Sequence, residues 1–267
     1  MKLLILLAAV CVFSEDAILI DGQSNAATTY QTYIYSSDSV HSRAKAAVDS
    51  GTMWSDTAYG KANGSPAQYA RGVGAWGARL AQRILQAASC SLFVVNNAIG
   101  GTTIQQHLPS RSLNSYYGRS YWRLDKDNKR NNVKFIFWWQ GEAEDSASSL
   151  QYLSRFTSLD SAWRVDYPNL RRIFIIRPRL CTGLSQDTNI LSVINSLPSH
   201  FDSLTVISVD NISGWDGCHW NLSGYTTIGD TLYNTMRRVS NYPIVVNPPD
   251  NPIPSFFKYG GLHFWFY

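Results

Sequence analysis

Asp216-Gly217-Cys218-His219 sets an acid and an imidazole three residues apart. That spacing fits one turn, with the carboxylate within reach of the ring. Near the other end, Asp21-Gly22-Gln23-Ser24-Asn25 closes a short apolar run with a serine. A hydroxyl, a base and an acid that orients the base are the parts of acyl transfer through an activated nucleophile. Ser24, His219 and Asp216 are therefore candidates for nucleophile, base and orienter. Each alone has a plainer account: Ser24 as a helix cap, Asp-x-x-His as a surface loop pair. Their weight lies in the combination.

Such chemistry also needs donors for a tetrahedral oxyanion. Backbone N–H groups at Gly74, Gly100 and Gly101 and the Gln140 amide are suitable in type. Turn chemistry is the plainer account of each glycine, and a strand-end hydrogen bond that of Gln140. Glu142 and Glu144 are paired acids of the kind glycosidases use. They lie in one loop and would leave Ser24 and His219 unexplained, so Glu142 reads as a structural or substrate-orienting acid. His41, His107, His200 and His263 lack an equivalent acid at a strand end and read as ordinary histidines.

These residues must be positioned by something. Ala17–Asp21, Ser91–Asn96, Lys134–Trp139, Arg172–Ile176 and Leu204–Val209 are short, uniformly apolar runs, the pattern of strands buried on both faces. Between them, Gly74–Ala88 has apolar residues at helical spacing. Leu150–Tyr167 predicts an amphipathic helix with Leu150, Leu153, Phe156, Leu159 and Trp163 on its buried side. Leu222–Val239 predicts a last helix, capped from Asn221 or Ser223. Strands alternating with helices predict an α/β domain with a parallel sheet covered on both faces. Residues 26–70 are polar with weak periodicity and read as a long irregular surface segment. In parallel sheets ligands bind beyond the carboxyl ends of the strands, and Ser24, Gly101, Gln140, Glu142, Asp216 and His219 all fall there.

The chain has 267 residues, 45% hydrophobic and 16% charged, enough for a sizeable core. A dispersed net charge of +4 gives no footprint for nucleic acid. Nine Trp and fifteen Tyr point mainly to packing. Residues 1–14 carry one Lys and then an apolar run, the pattern of a secretory signal peptide too short to span a bilayer. The organisation expected is leader 1–14, domain 15–242 and a Pro- and aromatic-rich tail 243–267, in a secreted protein without stable membrane insertion. Sequons at Asn63, Asn211 and Asn221 fit that route. Cys181 ends one apolar run and Cys218 sits in the Asp–His segment, so these two are expected to pair, leaving Cys90 as a buried thiol. The cysteine spacings do not resemble a zinc site.

Five blocks in order, Gly-Gln-Ser-Asn (22–25), a glycine-containing helix opening (72–80), Asn-x-x-Gly-Gly-Thr (97–102), Trp-Gln-Gly-Glu (139–142) and Asp-x-x-His (216–219), resemble the sialate O-acetylesterase and acetylxylan-esterase-like branch of the SGNH hydrolases. The resemblance runs from about residue 17 to 240. It implies a flavodoxin-like three-layer sandwich with a five-stranded parallel sheet. It also implies Ser24 as nucleophile, His219 as base, Asp216 as orienter, and oxyanion donors at the Ser24 and Gly74 backbones and the Gln140 side chain. No metal or other cofactor is implied, and the substrate would be an acetylated carbohydrate. Residues 72–76 lack the family's usual Gly-Pro-Glu, so Gly72 and Gly74 both stand as candidates for the second donor. A non-catalytic glycan-binding protein on this scaffold and a short-acyl or lipid esterase are the alternatives.

Overall fold

The apolar runs become one sheet, because strands with no polar face must be covered on both sides. The computed structural model describes residues 15–27, 44–47, 73–87, 92–183, 187–242, 258–259 and 262–263. The leader, Cys90, Gly72, the sequon at Asn63, most of 26–70 and most of the tail lie outside the described residues.

The strands are β1 (Asp16–Gly22), β2 (Ala44–Ala47), β3 (Leu92–Asn96), β4 (Val133–Trp139), β5 (Arg172–Arg177) and β6 (Leu204–Ser208). They lie in the order β2-β3-β1-β4-β5-β6, and every pairing is parallel. The five expected strands thus run second, first, third, fourth, fifth, the flavodoxin-like order. β2 is an addition at the edge, inside the segment read as irregular. Lys258–Tyr259 (β7) and Leu262–His263 (β8) form a separate antiparallel pair.

Alternate residues of each strand enter opposite cores, as the two-residue period requires. Ile18, Ile20, Phe135, Phe137 and Phe174 pack against α2 (Ala75–Ala87) and α6 (Leu222–Ser240). Ala17, Leu19, Ile136, Trp138 and Ile175 pack against α3 (Tyr116–Lys126), α4 (Ser146–Asp166) and α5 (Asn189–Ser196). α1 (Ser24–Ala27) is a single turn after β1. Side-chain caps fix three starts: Ser115 accepts from Gly118 N–H, Asp145 from Ser148 N–H and Asn221 from Gly224 N–H. No described helix is long and apolar enough to cross a membrane.

One detail of α4 differs from expectation. Leu150 is 88% exposed, whereas Tyr152, Phe156, Leu159 and Trp163 are buried. The helix starts at Ser146, four residues earlier than its apolar pattern, and its buried stripe includes Ser149 and Tyr152 instead of Leu150.

Candidate active site

The nucleophile turn begins with Gly22, whose φ of +126° and close approach to β4 need the absence of a side chain: a Cβ there would stand 2.0 Å from Trp139 O. The next residue, Gln23, donates its N–H to that same Trp139 O at 2.9 Å. The chain then turns into α1, with Ala26 and Ala27 N–H on Gln23 O. Ser24 opens this turn, half-buried, at the point where β1 and β4 part.

The histidine arrives from the far end of the chain. Residues 215–220 fold back on themselves through a Trp215–Trp220 bridge, and Asp216 N–H donates to His219 O at 2.9 Å. Trp220 is the anchor, fully buried against Trp139, Trp215 and Tyr225. His219 Nε2 lies 3.2 Å from Ser24 Oγ. Asp216 Oδ1 accepts the backbone N–H groups of His219 at 2.7 Å and Cys218 at 2.9 Å. These bonds, with help from the His219 ring, hold the Asp216 carboxyl below the usual carboxylate range.

Cys218 is joined to Cys181 by a disulfide. Thr182 adds two bonds across the same seam, from its N–H and its hydroxyl to Gly217 O at 2.6 and 3.1 Å. The loop that carries the imidazole is therefore tied to the segment after β5. The bridge closes 37 residues of sequence, which corresponds to about 3–4 kcal/mol of chain entropy. A Cys181→Ser/Cys218→Ser double variant should lose about that much in denaturant unfolding, and its kcat should fall more than its KM changes. An unchanged unfolding midpoint would remove this bracing role.

Asn25 is the junction of the site, and sequence reasoning assigned it no role. Its Nδ2 donates to Glu142 Oε1 at 2.9 Å and to Cys218 O at 3.0 Å. Its Oδ1 accepts from Tyr225 OH at 2.7 Å, and its main-chain O accepts from Trp76 Nε1 at 2.9 Å. One carboxamide so joins the serine turn, the histidine loop, the β4 loop and α6. The Gly-Gln-Ser-Asn block was the only signal for it.

Gly74 is buried with φ +81°, and both its flanks are tied to α1. Asn96 Nδ2 donates to Val73 O at 2.8 Å and also reaches Ala26 O and Ala27 O. On the other flank stands the Trp76 bond to Asn25. Gly100 lies directly beside the serine, since a Cβ there would be 3.6 Å from Ser24 Cβ. Gly101 is exposed with φ +71° and open space around it.

Gln140 differs from its expected role. Its fully buried Nε2 faces three acceptors: Glu144 Oε1 at 2.6 Å, Thr102 O at 3.1 Å and Gln23 Oε1 at 3.4 Å. Two hydrogens facing three acceptors leave none for an oxyanion. Gln140 is a strut between loops. Glu144 Oε1 also accepts Ile104 N–H at 2.6 Å.

Glu142 is 4% exposed. Burial pushes its carboxyl up to about 7, against the opposing pull of the Asn25 amide. Unfolded, it ionises near the ordinary value of about 4.3. Between those values the unfolded chain gives up a proton that the folded chain keeps, so stability falls as pH rises through that window. Glu142→Gln keeps an acceptor for Asn25 and cannot ionise. It should raise the unfolding temperature at pH 8 and leave it nearly unchanged at pH 4.5. Equal effects at both pH values would refute this.

Asn221 spends its Oδ1 on the α6 cap, and Asn211 is exposed in the turn after β6. Among the described residues no cluster of His, Cys, Asp and Glu has the form of a metal site.

Residues 14–238 match the family described as carbohydrate esterase, sialic acid-specific acetylesterase. The chain belongs to this family. Among solved structures it is similar to a protein of Arabidopsis thaliana, at 18% identity and a TM-score of 0.62, over 85% of this chain and 99% of that one. It is also similar to a carbohydrate acetylesterase from Xanthomonas citri, at 14% identity and a TM-score of 0.61, over 85% of this chain and 56% of that one. At such identities these neighbours speak for the fold. No curated protein sequence matches the chain. It is thus a member of a carbohydrate esterase family.

Proposed function

We propose that this chain is a secreted serine esterase that removes O-acetyl groups from carbohydrate. The observation that carries the proposal is the 3.2 Å approach of Ser24 Oγ to His219 Nε2. Membership of the acetylesterase family supports the acetyl group and the sugar.

In the mechanism, His219 Nε2 takes the hydroxyl proton as Ser24 Oγ attacks the acetyl carbonyl. Asp216, which accepts the His219 main-chain N–H at 2.7 Å, is the acid placed to orient the base. The family resemblance offers the backbone N–H groups of Ser24 and Gly74 as donors to the developing oxyanion. The imidazolium protonates the leaving sugar hydroxyl, and an acetyl-Ser24 remains. Water then gives a proton to His219 as it attacks the acetyl carbonyl, and the imidazolium returns that proton to Ser24 Oγ as acetate leaves. Glu142 holds Asn25, and through it the serine and histidine segments, in register.

The deciding experiment offers the purified chain O-acetylated sialic acid, acetylated xylan and a simple chromogenic acetate, with acetate release as readout. Hydrolysis of a sugar acetate in preference to the simple ester is the expected result. Tight glycan binding with no acetate released would favour a binding protein on this scaffold, and hydrolysis of longer acyl esters alone would favour a lipid esterase.

A further inference from the structure

His107 is fully buried, in a 3-10 turn over Ile104–His107, and the mechanism above leaves it unused. Far from being an ordinary histidine, it has an acid at a strand end. Its Nδ1 lies 3.2 Å from Oδ1 of Asp21, the residue that precedes Gly22 in β1. Its Nε2 lies 2.8 Å from Thr102 Oγ1. The ring is fixed edge-on to Trp138, with centroids 5.1 Å apart at 89°, and lies 5.3 Å from the Tyr116 ring.

Both partners touch the edges of the serine site. Asp21 is buried and accepts Gly22 N–H at 2.8 Å, at the start of the turn that presents Ser24. Thr102 ends the Gly100–Gly101 strap, and its hydroxyl donates to Ile99 O at 2.7 Å. The strap is stapled at its other end by Ile99 N–H to Gly22 O at 2.9 Å. Between those ends Gly100 stands against Ser24. A buried ring that bridges the strand end and the strap therefore fixes the distance between serine and strap. Fixed geometry of this kind matters because misplacement by about 1 Å can cost on the order of a hundredfold in rate.

We infer that His107 is a positioning residue of the esterase site, locking the Gly100–Gly101–Thr102 strap to the end of β1 through Thr102 and Asp21. The inference rests on Ser24 being the nucleophile. It predicts a defect in the chemical step with substrate binding preserved. Glutamine can place its amide nitrogen where His107 Nε2 meets Thr102, whereas leucine keeps bulk and loses both polar links.

The test measures kcat, KM and unfolding temperature on a chromogenic acetate for wild type, His107→Leu, His107→Gln, Thr102→Val, the His107→Leu/Thr102→Val pair and Ser24→Ala. His107→Leu should lower kcat by about 10- to 100-fold with KM within about twofold. His107→Gln should recover most of that loss. Thr102→Val should resemble His107→Leu, and the pair should be no worse than either alone. A folded His107→Leu with wild-type kcat overturns the inference. So does a His107→Gln no more active than His107→Leu, or a pair whose losses multiply. If leucine prevents folding, His107→Gln against Thr102→Val decides: near wild-type kcat in the first with a loss in the second supports the lock, and equal values overturn it. An active Ser24→Ala would instead remove the serine-esterase reading itself, which separates the two failures.

Discussion

Ser24→Ala should lower kcat by roughly 10⁴-fold or more, because the covalent route ends with the nucleophile. In the proposed mechanism its oxygen attacks the acetyl group and its proton passes to His219, whose Nε2 lies 3.2 Å away. What survives is stabilisation by the backbone donors alone. Folding should be almost untouched, since Ser24 is half-buried and opens a helix of four residues held by Gln23 and Asn25 instead. His219→Ala should fall nearly as far, and the two losses should not add, as groups acting in one step do not. Brief exposure of wild type to an activated acetate, followed by acid quench, should leave one acetyl on the Ser24 peptide. An active Ser24→Ala, or acetyl found elsewhere, would send the search for a nucleophile to another residue.

Gly22→Ala should cost roughly 2–6 kcal/mol, the sum of a strained φ and an overpacked contact. The added methyl would meet the main chain of β4 at Trp139, and main chain in the middle of a sheet has nowhere to move. Asp21, Gln23 and Ser24 would shift with it, so activity should be lost even where the protein folds. Gly101→Ala is the matching control. Its φ of +71° is also left-handed, but nothing stands within 4 Å of the new Cβ, so only strain of about 1–2 kcal/mol applies. Denaturant unfolding of the two variants checks the contrast. A Gly22→Ala protein as stable as Gly101→Ala would show that the contact with Trp139 is not what demands glycine.

The sheet was legible because its central strands are buried on both faces. Phe135 through Trp139 leave no polar residue to blur the signal, and each expected strand lies within a residue or two of the real one. β2 was not legible: Ala-Lys-Ala-Ala carries neither branched nor aromatic residues, and only pairing with β3 makes it a strand. α3 was missed for a related reason, since its buried residues, Tyr117, Gly118, Ser120 and Leu124, include a single aliphatic one. The site divides the same way. Ser24 and His219 were visible as types that do chemistry. Asn25, Asp21 and His107 were not, because their meaning comes from partners remote in sequence. Gln140 shows the converse: a suitable donor by type, it turns out to face Glu144 once that loop has its shape.

The order of the strands has a consequence for how this molecule is made. β1 leads into the turn that bears Ser24 and lies in the interior of the sheet, between strands synthesised well after it. The imidazole comes on almost the last loop of the domain. A nascent chain must hold its first strand waiting until β3 and β4 arrive to flank it, the kind of long-range pairing that slows assembly. On the proposed mechanism, a chain whose segment around Trp220 has not docked has a serine with no base, so activity should appear only as the fold is completed.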